Sequence, residues 1–348
     1  MISLSDAWYG DAPWLGLLRP LSWLTARVAR QRFATRKERA AGTILPVPVV
    51  VVGNISVGGT GKTPLTIALI ERLRALGWKP GVISRGYGAR PPRYPFAVTA
   101  QSLPREGGDE PCLIAQRTGV PVYIDPDRVT AARTLLANHD CDLLISDDGL
   151  QHYALPRTLE IAVIDGARGL GNGRCLPEGP LREPPERLQQ VDLVVVNGTP
   201  SRRTRQQLAG LKLRTHVMTL RVDRLYPLAG GTGVLPEEWT LPSQVDAVAG
   251  IGNPQRFFDT LRTLGFDPVE HPLADHAAPS RELLERTSGR PLIMTEKDAV
   301  KCRHLMLENG WALRVNAQLD ADFEQLLLTA LKRATADTTG HEDGSETA

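Results

Sequence analysis

A chain of 348 residues is long for one domain and comfortable for two, and its 42% hydrophobic and 23% charged content are those of an ordinary globular protein. A net charge of +2 gives no global electrostatic instruction, so any basic surface must be local. Cys112, Cys141, Cys175 and Cys302 are scattered without a C-x-x-C pair, which argues against a disulfide framework or zinc site and fits a reducing cytoplasm.

Taken from the N-terminus, the first informative stretch is residues 13–40. Trp14, Leu17, Leu18, Leu21, Leu24 and Val28 fall at helical spacing and form one apolar stripe. Arg19, Arg27, Arg30, Arg32, Arg36, Lys37 and Arg39 follow or flank it, with Glu38 the sole acid. No apolar run approaches the ~20 residues needed to span a bilayer, and the order of charge and apolar segment does not suit a signal peptide. Two readings stand: an amphipathic segment on an anionic membrane surface, or a helix packed on its own domain with its arginines in water.

The stretch Val49 to Thr66, VVVVGNISVGGTGKTPLT, organises the chain. A buried β-branched strand breaks at Gly53-Asn54, passes through Ser56, Val57, Gly58, Gly59, Thr60 and Gly61, and enters a helix at Lys62-Thr63-Pro64. This is a phosphate-binding loop. Its glycines let backbone N–H groups converge on one anion, and the helix adds its positive end. Lys62 is expected to reach the β- and γ-phosphates and the Thr63 hydroxyl to ligate Mg²⁺. The general pattern begins with glycine where this chain has Ser56.

From residue 45 onward strand-like and helix-like segments alternate, predicting a mostly parallel sheet with helices on both faces. Lys62 to about Leu76 is a helix and Pro80–Ser84 a strand leading into Arg85-Gly86-Tyr87-Gly88. Gly108-Asp109-Glu110-Pro111 opens a helix toward Gly119, and residues 127–138 form another. The strand Cys141–Ser146 ends in Asp147-Asp148-Gly149-Leu150-Gln151-His152, at the sheet edge where such folds bind ligands. Its carboxylates suit the Mg²⁺-holding acidic position, with a plain Asp-Asp-Gly turn as the alternative. Further strands are expected at Glu160–Asp165 and Asp192–Asn197. Helical rhythm lapses between 213 and 243, placing an inter-domain link there. A second alternating region follows, with Pro291–Thr295 and Trp311–Val315 as strands and Lys297–Leu307 as a helix. From Ala334 the polar, acidic tail reads as disordered.

Eight segments together resemble one family, the tetraacyldisaccharide 4′-kinases of lipid A biosynthesis. They are GNISVGGTGKTP at 53–64, SRGYG at 84–88, GDEP at 108–111, SDDGLQH at 146–152, LPEGPLRE at 176–183, AGIGNPQRFF at 249–258, Asp275-His276, and TEKDAVK at 295–301. They run in the family's order, and Ser56 is itself what the family carries. The resemblance implies an ATP- and Mg²⁺-dependent kinase acting on the 4′-hydroxyl of a tetraacylated glucosamine disaccharide 1-phosphate. It implies a peripheral protein on the cytoplasmic face of the inner membrane, which favours membrane contact by residues 13–40. It also implies two α/β domains joined by a small β linker, with the site in the cleft between them. The expected division is a membrane-associating segment (1–40), a phosphate-loop kinase domain (41–212), a linker (213–243), a smaller α/β domain (244–333) and a tail (334–348).

By that similarity Asp109 is the base that accepts the sugar hydroxyl's proton, and His276 supports it from the second domain. From the residues alone, Asp109 reads equally as a helix N-cap and His276 as a surface-loop histidine. Mg²⁺ is expected on Thr63 with Asp147, Asp148 and Glu183, and Arg182 beside the transferred phosphate. Asn54, Arg85 and Gln151 are candidates to line the substrate cleft, while Lys297 and Asp298 match a family motif or start a helix. A membrane-bound nucleotide switch would need neither the GDEP segment nor the Asp-His pair, and a soluble small-molecule kinase would leave residues 13–40 unexplained. Nucleic-acid binding is poorly supported, because the basic residues lie beside an apolar stripe and only 5% of residues are aromatic. No obligate protein partner is evident.

Overall fold

A computed structural model describes residues 4–10, 12–287, 289–305 and 307–339. Its strands are β1 (Val49–Gly53), β2 (Pro80–Ser84), β3 (Phe96–Val98), β4 (Val122–Ile124), β5 (Leu143–Asp147), β6 (Leu159–Asp165), β7 (Leu193–Asn197), β8 (Thr215–Pro227), β9 (Gln244–Ala249), β10 (Asp267–Pro272), β11 (Leu292–Thr295) and β12 (Gly310–Leu319). Its α-helices are α1 (Leu4–Tyr9), α2 (Arg19–Ala34), α3 (Arg36–Ala40), α4 (Lys62–Ala75), α5 (Pro104–Gly107), α6 (Asp109–Thr118), α7 (Arg128–Asn138), α8 (Arg202–Gly210), α9 (Pro254–Thr263), α10 (Arg281–Arg286), α11 (Glu296–Cys302) and α12 (Ala321–Thr339).

All the strands join one twelve-stranded sheet in the order β10-β9-β11-β12-β8-β7-β6-β1-β5-β2-β4-β3. The fold is α/β and mostly parallel, as the alternation predicts. β3 runs antiparallel to β4, and β8 antiparallel to β12. The central strands β1, β5, β6 and β7 are Val/Ile/Leu-rich and buried along their whole length, as expected where helices cover both faces. Helix boundaries follow local chemistry. Asp127 caps α7 by accepting from Val129 N–H at 3.0 Å, Ser201 caps α8 from Thr204 N–H at 3.1 Å, and Gly119 ends α6 in the left-handed region at φ 66°.

The segment expected as a linker contains β8, which belongs to both halves of the sheet. Its start pairs parallel with β7 (Thr215 beside Val194) and its remainder pairs antiparallel with β12 (Tyr226 beside Ala312). The phosphate-loop half and the distal half (β9 to β12) are therefore one continuous sheet. Helix α12, not anticipated from sequence, returns from the distal half. It buries Phe323, Leu327 and Leu331 in the same core as Val50, Leu65 and Leu69. This corrects the tail. β12 extends past Val315 to Leu319, and the chain stays helical from Ala334 to Thr339 where disorder was expected. Residues 340–348 of that tail lie outside the described residues.

At the N-terminus a 3₁₀ turn (Pro13–Leu18) leads into α2 and α3. The inward contacts come from small or single residues: Leu15 and Ser22 are buried, and the Ser22 hydroxyl donates to Cys175 O at 2.8 Å. Trp8 Nε1 donates to Pro177 O at 3.0 Å, and Arg19 Nε to Glu178 at 3.2 Å. Most of the stripe read from sequence points the other way, except Leu18, which packs half-buried against Ala7, Trp8 and Leu15, and Trp23 joins the exposed face. Leu17 is 83% exposed, Trp23 61%, Leu21 55% and Leu24 52%, with Trp14 and Val28 also outside. No helix among the described residues is long and apolar enough to cross a membrane.

Candidate active site

The phosphate loop connects β1, at the centre of the phosphate-loop half, to α4. Gly61 caps α4 at φ 96°, and a Cβ there would lie 2.3 Å from Asn197 Nδ2, so only glycine fits. Asn197, at the end of β7, donates to Thr60 O at 3.0 Å. Asn54 is fully buried and braces the loop from within, donating to Thr60 Oγ1 at 3.3 Å. The 176–183 loop runs alongside: Val57 N–H donates to Pro180 O at 2.9 Å and Arg182 N–H to Ile55 O at 2.6 Å. That pairing delivers Arg182 and Glu183 to the site.

Lys62 Nζ lies 3.5 Å from Asp148 Oδ1, and Arg182 Nη1 is 3.2 Å from Asp148 Oδ2. Burial pushes the Asp148 carboxyl up, but Lys62 and Arg182 outweigh it and hold the group down at about 2. Asp147, one residue earlier, is fully enclosed. Burial first, then the charges of Glu110 and Asp148, push its carboxyl well above the usual carboxylate range, against the pull of Lys62. Its Oδ1 accepts from the Thr66 hydroxyl at 3.1 Å, one turn further along α4 than Thr63, while its Oδ2 has no hydrogen-bond partner.

Glu183 stands behind this corner. Its Oε2 accepts from Gln151 Nε2 at 2.8 Å and its Oε1 from the Tyr153 hydroxyl, and Gln151 also donates to Asn54 O at 3.0 Å. Among the described residues no three His, Cys, Asp or Glu side chains form a metal cluster, so Thr63, Asp147, Asp148 and Glu183 stand here as separate donors.

The opposite wall starts at Asp109, the first residue of α6. It is not a helix cap, because no side-chain capping bond is made there and Gly108 occupies the cap position. Its carboxylate instead faces the distal half of the sheet. His276 Nδ1 is 3.5 Å from Asp109 Oδ2, so the Asp-His pairing expected by resemblance is met in space. His276 sits in the left-handed region at φ 66°, with Tyr87 5.2 Å from its ring. Lys297 is 3.1 Å from Glu110 and 3.4 Å from Asp275, and Asp298 is buried and accepts from Gly250 N–H at 2.8 Å.

The two walls meet at the loop apex. A Cβ on Gly252 would lie 2.4 Å from Gly59 N, and Arg168 clamps the junction by donating to Gly252 O at 2.9 Å and to Gly59 O. Arg117, on the same helix as Asp109, reaches Glu296 at 2.8 Å at the start of α11. A basic group lies beside Asp148. Arg128 is buried with an Nε that makes no hydrogen bond and donates to Asp148 O at 3.5 Å, and His152 Nε2, also without a hydrogen bond, lies 4.0 Å from Asp127 Oδ1. Burial, followed by the neighbouring Arg128, pushes His152 down to about 4, with Arg85 adding to the effect. Sequence reasoning did not single out Thr66, Arg117, Arg128, His152, Arg168, Asn197 or Lys301. His152 and Lys301 fell inside quoted motifs without a role.

The family model described as "Tetraacyldisaccharide-1-P 4'-kinase" matches residues 14–332. The chain belongs to that family. A tetraacyldisaccharide 4'-kinase of Pseudomonas fluorescens (strain SBW25) is 52% identical over 332 residues, covering 95% of this chain and 96% of its own. That of Pseudomonas putida (strain F1) is 50% identical over 331 residues, covering 95% and 97%. The crystal structure of LpxK from Aquifex aeolicus, described as an "apo" form in complex with ATP, superposes with a TM-score of 0.72. It is 25% identical and covers 91% of this chain and 99% of its own.

Proposed function

We propose that this kinase transfers the γ-phosphate of ATP to the 4′-hydroxyl of a tetraacylated glucosamine disaccharide 1-phosphate. The observation that carries the reading is a phosphate loop whose lysine and neighbouring arginine share one aspartate, joined through the Gly59–Gly252 contact to the half of the sheet that brings His276 to Asp109. Phosphoryl transfer asks the protein for positioning and charge neutralisation, plus an acceptor for one proton. The amides of Ser56 to Gly61 and the ammonium of Lys62 hold the phosphates, with Lys62 turning from Asp148 toward them. Arg182 faces the same charge, and Asp109 accepts the hydroxyl's proton.

The donors at the corner suit Mg²⁺, which takes one or two carboxylates together with phosphate oxygens. Asp147 offers a buried, unpartnered oxygen, with Thr63 and Asp148 alongside and Glu183 behind. The cation would neutralise charge shared between the β- and γ-phosphates. Arg85 and Arg128, close enough to repel one another, are the cations we assign to the substrate's own phosphate.

We place the enzyme peripherally on the cytoplasmic face of the inner membrane, docked through residues 13–40. The support is the outward apolar row Trp14, Leu17, Leu21, Trp23, Leu24 and Val28 with arginines beside it. Residues 41–212 and 244–333 are read as two domains flanking the cleft, with 213–243 between them. The direct test is transfer of labelled γ-phosphate from ATP to tetraacyldisaccharide 1-phosphate in detergent, comparing wild type with Lys62→Ala. Label in the lipid with wild type alone is expected. ATP hydrolysis onto water by folded wild type, with no labelled lipid, would overturn the assignment.

A further inference from the structure

Helix α11 presents Lys297 and Lys301 one turn apart to the start of α6. Lys297 is occupied by Glu110 and Asp275. Lys301 is aimed at Asp109: its Nζ lies 3.6 Å from Asp109 Oδ2 and 3.0 Å from Asp298 Oδ1, and it donates to Ala277 O at 2.9 Å. His276 Nδ1 addresses the same oxygen, Oδ2, at 3.5 Å. Both are ion-pair contacts, and among the described residues neither oxygen of the Asp109 carboxylate accepts a side-chain hydrogen bond.

We infer that Lys301 is a positioning residue for phosphoryl transfer: with His276 it holds the Asp109 carboxylate in place to meet the acceptor hydroxyl. The inference rests on the reading of Asp109 as the base. Asp298, fully buried, accepts from Gly250 N–H at 2.8 Å and from the Thr295 hydroxyl at 2.6 Å through Oδ2, and Lys301 meets its Oδ1. Asp298 acts as the rear anchor. Bonds to it and to Ala277 O fix the ammonium so that its remaining reach is toward Asp109. The Lys301 side chain is 5% exposed, so its attraction is little screened by water.

The other charged and titratable groups around Asp109 have their own engagements. Glu110 pairs with Lys297, and Asp275 lies beside His276 at 3.9 Å and Lys297 at 3.4 Å. Cys112, on the same helix as Asp109, is pushed up to about 12, by burial first and then by the charges of Asp109 and Glu106. Among the described residues, Lys301 and His276 are the side chains within ion-pair distance of Asp109.

The test is steady-state kinetics of the full chain with ATP and the lipid acceptor in detergent, for Lys301→Met, Lys301→Arg, Asp298→Asn/Lys301→Met and Asp109→Ala. Losing the clamp lets the carboxylate rotate, so kcat for Lys301→Met should fall on the order of 10²-fold. The KM for ATP should stay within about twofold, since a positioning residue acts on the transition state. Lys301→Arg keeps the charge and should recover part of the loss. The double variant removes the buried cation and anion together, so it guards against simple misfolding. It should melt near wild type and still show the kcat defect. In an Asp109→Ala background, Lys301→Met should cost nothing further. Wild-type turnover by the folded double variant, or an undiminished Lys301→Met effect without Asp109, would overturn the inference. Wild-type turnover by Asp109→Ala would instead remove the base assignment itself.

Discussion

The two walls of the cleft are assembled by different means. The phosphate wall is local: consecutive residues from Ser56 to Thr63 form it, and the adjoining strand end adds Asp147 and Asp148. Backbone geometry fixes it, through Gly61 at φ 96° and the Asn54 and Asn197 braces. The wall that carries the proposed base is composite. Asp109 comes from α6, His276 from the loop after β10, and Lys301 from α11. It is whole only while the phosphate-loop and distal halves of the sheet sit together. The β8–β12 pairing, the Gly59–Gly252 contact and the Arg117–Glu296 ion pair hold them there. A local wall can bind nucleotide by itself; a composite wall makes transfer depend on contacts far from the chemistry.

Substitutions that strike one wall at a time should separate binding from transfer. Lys62→Ala removes the phosphate wall's cation and one of the two groups on Asp148. Transfer should fall on the order of 10³-fold with a clear loss of nucleotide affinity, measured by titration beside activity. Gly252→Val strikes the seam, because its Cβ would meet the Gly59 backbone 2.4 Å away. Transfer should fall on the order of 10²-fold, more than nucleotide affinity does, and an unchanged rate would show that the walls do not meet there in the working enzyme.

Outside the cleft, Leu17→Ser/Leu21→Ser/Leu24→Ser should reduce liposome flotation on the order of tenfold. Its melting should barely move, since exposed sites change stability by only about 0.5 kcal/mol each. Equal flotation would refute the membrane face. The smallest effect concerns His152, held down at about 4 against an ordinary value of 6.5. The unfolded chain binds the proton first as pH falls through that window, so folded stability should decline from about pH 6.5 toward 4. Thermal melts of His152→Gln should show a shallower decline.

Legibility in the sequence tracks the same division. The phosphate wall could be read because its chemistry lies in one unbroken stretch, with strand and helix signals on either side. Asp109 and His276 were ambiguous as residues, since a helix-start aspartate and a loop histidine have ordinary explanations. Only the joint motifs linked them. Lys301 could not be found from spacing, because its partners lie on other elements. The apolar stripe of residues 13–28 was visible, but periodicity gives the same pattern whether a stripe faces a core or a membrane. Burial of Leu15 and Ser22 on the other side turns the stripe outward. Helix α12 was missed beneath a polar ending. Its anchoring residues, Phe323, Leu327 and Leu331, stop before Ala334, and the chain continues helically beyond them to Thr339.

The most direct measurement is single-turnover transfer to the lipid acceptor by Asp109→Asn, with nucleotide affinity determined on the same preparation. This substitution keeps the shape of the side chain and removes its capacity to take a proton. Loss of transfer on the order of 10²- to 10⁴-fold with near-wild-type nucleotide affinity is the predicted result. Near-normal transfer would contradict the role of Asp109 as the base, and with it the composite wall as the catalytic half of the cleft.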